Sequence, residues 1–332
     1  MKKPTAPILI LMGILFVASC DNVTDSSITS TTPVDTAWKI TYGNGKFVAV
    51  SFNYFGAYGY FMSGNKAAYS TDGIHWTTAA LPGNAAWRSV AFGNNMFVAI
   101  AGYDGNYPGS RAAYSADGIT WTAASLPGSA NWNTVAFGGG TFVAVSNTKA
   151  AYSTDGIHWT AASLPGSANW YSVAYGNGKF VVLDYGSDNA AYSTDNGITW
   201  TAASLPPDSA NWNTIASDGS TFVAVGNAIP AHSTDGLSWT PATSPPGSAN
   251  WYGAACGNGR FVAFDYGSNK AAYSTDNGVT WTAASLPPDS AYWHSAAYGN
   301  NTFVAVAAYG GMAAYSADYG VTWTKAALPG TY

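Results

Sequence analysis

The sequence predicts an all-β protein: a seven-bladed β-propeller of four-stranded antiparallel blades covering residues 37–332. Three observations predict it. First, the chain aligns with itself as seven units of about forty residues. Second, all 14 tryptophans fall two to a unit. One set is Trp38, Trp87, Trp132, Trp170, Trp212, Trp251 and Trp293; the other is Trp76, Trp121, Trp159, Trp200, Trp239, Trp281 and Trp323. Third, the composition suits pleated strands. Aromatic residues reach 15%, charged residues only 9%, and Glu and Gln are absent. Tyr, Trp, Thr, Val and Phe replace those helix formers, and Gly, Asn, Asp and Pro supply turns.

The chain opens on a segment unlike the repeats. Met1-Lys2-Lys3 is a short positive region and Ala6 to Ala18 an apolar run, too short for a stable span. It ends in Val17-Ala18-Ser19-Cys20, which resembles the bacterial lipobox. The resemblance implies a signal peptide over 1–19, cleavage before Cys20, lipid attachment at that residue, and residence in the bacterial cell envelope with the domain outside the cytoplasm. Several acyl chains anchor a protein where one would not. Residues 20–36, rich in Ser, Thr and Asp, read as a flexible tether.

Within a unit, four strands follow in order. In the fourth, Trp170–Tyr175 is a strand and Gly176-Asn177-Gly178 a tight turn. Lys179–Leu183 is the second strand, Ala190–Ser193 the third and Thr199–Ala203 the fourth. Such a sheet cannot bury both faces alone, whereas sheets stacked around an axis can. An open solenoid would need polar end caps, but the first and last units look like the middle ones. The chain starts on a first strand and ends on a fourth, so the ring is expected to close without a blade shared between its ends.

The third turn carries the most specific motif. Ser193-Thr194-Asp195-Asn196-Gly197-Ile198-Thr199-Trp200 resembles the Asp-box of the bacterial neuraminidase repeat family. Ser274 to Trp281 and Ser316 to Trp323 match equally, and the other four copies are one residue shorter. The seven aspartates are Asp72, Asp117, Asp155, Asp195, Asp235, Asp276 and Asp318. The Asp can accept backbone N–H groups, Gly permits positive φ, and Trp covers the hairpin. The resemblance implies a propeller in which the box is structural and lies away from the working face. Each turn offers one carboxylate and calcium takes six or more oxygens, so neither metal nor cofactor is expected.

In a propeller the first and third turns share one face; the second loops and the crossovers share the other. The first face is nearly uniform here and the second varies. The residue after each first-strand Trp also varies: Lys39, Arg88, Asn133, Tyr171, Asn213, Tyr252 and His294. These would ring the channel mouth, with Arg88, Tyr171, Tyr252 and His294 as the principal ligand candidates. Tyr54, Tyr58, Tyr103, Tyr185 and Tyr266 would form a rim, and Asp104, Asp184 and Asp265 would accept hydrogen bonds. Such a surface suits a glycan or a protein ligand.

Function classes narrow accordingly. The net charge is −5 and the three arginines, Arg88, Arg111 and Arg260, are scattered, which argues against nucleic acid. Sialidase chemistry in the resembled family needs converging arginines and a Glu, and this chain has no Glu. The expected function is a non-enzymatic, membrane-anchored binding module or scaffold. The alternative is a glycoside hydrolase using two of the loop aspartates. Cys256, which replaces the aromatic of the repeat's first strand, is expected to be a buried free thiol.

Overall fold

The computed structural model describes residues 35–329 except 56–59, 63, 105–106, 167, 208–210, 228, 245, 288–291 and 309. The expected signal peptide, Cys20 and the tether up to residue 34 lie outside the described residues, as does Tyr58. The first strand begins at Asp35 and so takes in the last two residues assigned to the tether.

The described residues form strands and turns, with no helix among them. Repeats three to seven are five separate four-stranded antiparallel sheets. In the fourth repeat these are Trp170–Gly176, Lys179–Asp184, Asn189–Ser193 and Thr201–Ser204, in spatial order. Repeats one and two share an eight-stranded sheet. One strand, Thr77–Gly93, runs from the fourth position of the first repeat into the first position of the second. Its early residues pair with Gly64–Ser70 and its later ones with Met96–Asp104. A short extra strand, Tyr60–Met62, pairs with Lys46–Phe55.

Six of the first turns carry Asn-Gly, Asn-Asn or Gly-Gly with both residues at positive φ (Asn177 47°, Gly178 73°), the geometry whose twist matches paired strands. In the third turns the motif residues act on the backbone. Asp72 Oδ1 accepts the N–H groups of Ile74 and His75 at 2.8 Å each, and Ser70 Oγ accepts that of Gly73 at 2.8 Å. In the longer copies the extra residue adopts positive φ (Asn196 60°, Asn277 61°, Tyr319 62°). Asp195 Oδ1 then accepts Thr199 N–H at 2.9 Å.

The larger core clusters each straddle two successive repeats. Val181, Leu183 and Leu205 of the fourth pack with Trp212, Ile215 and Phe222 of the fifth. The same arrangement joins the ends, where Val304, Val306 and Leu328 pack with Trp38, Ile40 and Phe47. All seven first-strand tryptophans are buried.

Two close approaches set the spacing of the sheets. The glycine of each third turn lies against a valine on the second strand of the preceding repeat. Gly118 meets Val48, Gly156 meets Val98, and Gly73 meets Val304 across the closure. A Cβ on Gly118 would lie 2.6 Å from Val48. The glycine ending the first strand faces an aromatic ring of the next repeat, as Gly138 does Tyr175. Two successive joints break this pattern: Gly176 of the fourth repeat faces Ser217, which stands where the ring would be, and the fifth and sixth repeats depart together. Asp218 stands where the others have glycine, and Cys256 stands where the next ring would be. Cys256 is half-buried, and its thiol donates to Ser217 O at 2.8 Å.

The first-turn asparagines tie one repeat to the next. Asn94 Nδ2 donates to Thr154 O at 3.0 Å, Asn44 Nδ2 to Ala116 O at 3.3 Å, and Asn300 Nδ2 to Thr71 O at 2.9 Å. First and third turns therefore share one face, and the second loops are left to the other.

Candidate functional site

The first strands line a central cavity, and a backbone irregularity aims their side chains into it. In six repeats the residue after the Trp is skipped in the pairing register. In the fourth, Trp170 pairs with Asp184 and Ser172 with Leu183, so Tyr171 bulges out. The same skip falls at Arg88, Asn133, Asn213, Tyr252 and His294. In the first repeat Lys39 pairs regularly with Val50. A β-bulge turns a side chain away from the sheet's regular alternation, which is why bulges gather beside functional sites.

These side chains line two spaces that share Arg88, Asn133 and Tyr171. The inner one, about 140 Å³, is lined by Lys39, Arg88, Asn133, Tyr171, Asn213 and His294, with Ser89, Thr134, Ser172, Thr214 and Ser295 beneath. The outer one, about 450 Å³, is lined by Arg88, Tyr103, Asn131, Asn133, Asn147, Asn169, Tyr171, Tyr185 and Tyr252. The outer volume falls in the range of small-ligand sites.

An aromatic network organises the mouth. The hydroxyls of Tyr171 and Tyr252 hydrogen-bond to each other across the channel. Tyr171 packs on Tyr185 with ring centroids 5.4 Å apart, and Tyr252 on Tyr266 at 5.0 Å. His294 stacks on Tyr252 at 5.0 Å and meets Phe52 edge-on at 5.9 Å. The Arg88 guanidinium sits 5.8 Å from the Phe52 ring and 6.0 Å from that of Tyr103. Asn133 Nδ2 donates to Asn147 Oδ1 at 2.7 Å and to Trp170 O at 2.8 Å. Asn213 repeats this toward Asn250 and Trp251 O, both at 2.9 Å.

Burial sets the protonation of the ring. Desolvation, with the Arg88 charge, lowers Lys39 to about 7. Desolvation and then Lys39 push His294 well below the ordinary histidine value, so the ring is neutral at neutral pH. Desolvation and Tyr171 raise Tyr252 well above the usual phenol range.

The aspartates are a correction to the sequence reading. Asp184 and Asp265 are 5% and 7% exposed, not open acceptors. Asp184 Oδ1 accepts Asn169 N–H at 2.7 Å, while Oδ2 accepts Ser187 Oγ–H at 2.5 Å and Asn189 Nδ2–H at 3.3 Å. Asp265 repeats this with Asn250 N–H at 2.7 Å and the Ser268 hydroxyl. Both carboxylates brace the second loop against the crossover. Asp104 is exposed and accepts the Arg111 Nε–H at 2.9 Å. Tyr54 lies on the strand Lys46–Phe55, opposite Asp35 and Phe61. Tyr185 is 39% exposed at the rim.

Sequence reasoning missed Phe52 and the outer carboxamides Asn131, Asn147 and Asn169. A signal was present: Asn precedes the first-strand Trp at positions 131, 169, 211 and 250. The seven third-turn aspartates stay on the opposite face with their backbone partners. Among the described residues no three His, Cys, Asp or Glu side chains gather as a metal site would require.

Solved structures share this architecture. Virginiamycin B lyase from Staphylococcus aureus superposes with a TM-score of 0.63 at 14% identity, covering 73% of this chain and 84% of that one. YCF48 from Cyanidioschyzon merolae gives 0.59 at 15% identity, covering 82% and 93%. A structure of YCF48 bound to D1 peptide gives 0.56 at 21% identity, covering 74% and 83%. At these identities the likeness is one of fold. No curated protein matches the sequence. The family described as the DUF6242 beta propeller domain matches residues 77–206 and 167–327, and the chain belongs to that family.

Proposed function

We propose that this chain is a seven-bladed propeller acting as a non-enzymatic binding module or scaffold, which seats a protein segment over the channel mouth. One observation carries the reading: the outer space joins four tyrosines and an arginine to a set of carboxamides. Tyr and Arg are enriched where a few residues carry most of an interface's binding energy, and carboxamides can pair with a peptide backbone. YCF48, of similar fold, has been solved with a peptide bound. Hydrolysis by paired carboxylates is less favoured, because Asp184 and Asp265 are committed to loop hydrogen bonds and Asp104 to Arg111.

Seven blades follow if the strand Thr77–Gly93 serves two of them. The seven glycine–valine contacts, the last returning to Val304, support that count. The Asp-box identity of the third turns is supported by the Ser and Asp hydrogen bonds within them. The lipobox at Cys20 supports anchoring in the cell envelope. Mass spectrometry of the mature amino terminus is expected to find an acylated Cys20, and an unmodified terminus elsewhere would remove the anchor.

The test of the binding face is a photo-crosslinker at Tyr185, with a second at Asn177 on the opposite face. A discrete polypeptide adduct at Tyr185, lost in Tyr266→Ala, supports the reading. Adducts only at Asn177 would refute the face, and a glycan-array signal with no polypeptide adduct would refute the ligand class.

A further inference from the structure

We propose that Lys39 is a nucleophilic amine that captures a short hydroxyaldehyde as an imine inside the inner cavity. The site goes beyond the seating of a protein segment at the mouth and stands apart from it. Lys39 lies on the first strand of the first repeat and lines the inner space. Its neighbours in the closed ring, the first strands of the second and seventh repeats, bring Arg88 and His294 to the same wall. Among the described residues no carboxylate lines that space, and the Lys39 amine has no hydrogen bond or ion pair. An ammonium that loses its water without gaining an acceptor is disfavoured, and a nearby cation disfavours it further. Both act here: desolvation first and the Arg88 charge second bring Lys39 down to about 7. A lysine freed of its proton by desolvation or by a second cation is the form that attacks carbonyl carbons.

The cavity floor selects the class of carbonyl compound. Ser89, Ser172 and Ser295 form part of it. Their oxygens accept the backbone N–H of Val135 at 3.1 Å, Ile215 at 3.1 Å and Ile40 at 3.4 Å. A hydroxyl has a proton as well as lone pairs, so each serine still has a proton to give to an oxygen in the cavity. A volume of about 140 Å³ holds several waters, or one molecule of a few heavy atoms. A carbonyl carbon for the amine and a hydroxyl oxygen for the serines describe a short hydroxyaldehyde. The inner space shares Arg88, Asn133 and Tyr171 with the outer one, the side from which such a molecule would enter.

The step balances without a co-reactant. The lone pair of the free amine attacks the carbonyl carbon, the C=O π pair moves to oxygen, and one amine proton passes to that oxygen, giving a carbinolamine. The nitrogen lone pair then expels the oxygen, which takes the second amine proton and leaves as water, and a C=N bond stands where C=O was. The titratable or charged groups facing Lys39 are Arg88, His294 and Tyr171, with Tyr252 at the mouth. His294 is neutral and gives one ring N–H to Trp38 O, so it adds no charge beside the amine. The strand paired with Lys39 puts Val50 opposite it and Phe52 on the cavity wall, and Thr302–Ala307 carries no titratable side chain.

The experiment is reductive labelling of the full chain in non-ionic detergent at pH 7, with limiting glycolaldehyde and cyanoborohydride, read by peptide mapping. The reductant delivers hydride to the imine carbon and leaves a hydroxyethyl group on the amine. Lys39 should be labelled at least about tenfold faster than Lys46, Lys66, Lys149, Lys179, Lys270 and Lys325, none of which lines the cavity. That preference should vanish in guanidinium chloride, where the cavity is gone. It should also shrink as the pH is raised from 7 to 10, since a solvated lysine amine is freed only near about 10.4. Propionaldehyde has as many heavy atoms but no hydroxyl, and its preference for Lys39 over the other lysines should be at least about threefold smaller. Lys39→Met should leave no fast-labelled position, and the wild-type comparison decides the matter if that variant fails to fold. Uniform labelling of the folded chain, an unlabelled Lys39, or a preference that survives unfolding overturns the proposal. Equal preference with propionaldehyde overturns the hydroxyaldehyde class.

Discussion

Gly138→Ala tests the packing between neighbouring sheets at one atom. A Cβ there would lie 1.9 Å from Tyr175 Cγ, 2.2 Å from Cδ1 and 2.4 Å from Cβ. Rotating the ring about its own axis gives no relief, because Cγ and Cβ do not move. Phe180 blocks the other side, with its ring centroid 4.9 Å from that of Tyr175. Gly138 is not among the positive-φ residues, so alanine is otherwise acceptable and even reduces the entropy of the unfolded chain, by roughly 0.5–1 kcal/mol. Overpacking of this kind costs about 1–3 kcal/mol, and the contact distances put this case at the upper end. The net loss should be about 1–2.5 kcal/mol. With a slope near 3 kcal/mol per molar urea, the unfolding midpoint falls by about 0.3–0.8 M. The chain supplies its own control, because Asp218 stands in the glycine position where the following repeat has Cys256. Tyr175→Cys should therefore remove most of the Gly138→Ala penalty, giving a coupling of roughly 1–2 kcal/mol in a double-mutant cycle. A Gly138→Ala protein within about 0.5 kcal/mol of wild type, or strictly additive mutations, would refute the account.

Three further outcomes are expected. Trp170→Ala, at 2% exposure, should cost about 3–5 kcal/mol. Trp200→Ala should cost less, about 1–3 kcal/mol, since that ring is half-buried and its N–H donates to Gly197 O at 3.0 Å; a reversed order by urea unfolding would contradict the burial pattern. Desolvation pushes the third-turn carboxyls up, but their hydrogen bonds outweigh it and hold Asp235 at about 2. All seven are lowered from 3.8. Folded values below unfolded ones contribute stability that is present above about pH 4 and lost as the pH falls through them. Acid titration should therefore show stability falling between about pH 4 and pH 2 with cooperative proton uptake, and a flat profile there would count against these bonds. Burial lifts the Cys256 thiol to about 12, so alkylation at pH 8 should be slow in the folded protein and fast in urea; equal rates would mean an accessible thiolate.

The strands were legible because the repeats repeat. Trp170, the Gly176-Asn177-Gly178 turn and Asp195 recur at fixed spacing, and each has a local physical role. The ring was legible in identity, since Lys39, Arg88, Tyr171, Tyr252 and His294 follow the tryptophans. The bulge that aims most of them was not, because a skipped pairing leaves no residue signature when the bulged side chain varies. Asp184 and Asp265 misled for a related reason. Asp in a variable loop reads as exposed, and only the fold brings the crossover N–H groups of Asn169 and Asn250 against them. The continuous strand Thr77–Gly93 joins what the repeats divide, because the Leu81-Pro82-Gly83 segment reads as a break yet stays extended.

The ring closes without a shared sheet. The last strands, ending at Ala327, pair among themselves, and Asp35–Gly43 pairs with its own neighbour. Leu328 lies in the cluster around Trp38 as Leu205 lies in that around Trp212, and Asn300 reaches Thr71 as Asn94 reaches Thr154. At the other joints between repeats the chain itself passes across, keeping both sides at high effective concentration; at this one the described residues meet through side-chain contacts, with no strand pairing across among them. Partial opening of the ring should begin there, with amide exchange along Asp35–Gly43 and Trp293–Gly299 faster than in equivalent strands elsewhere. The same equivalence makes the position of the ends arbitrary. A chain cut at another joint and linked at this one would rebuild the same circle, with the break moved and the former gap made covalent.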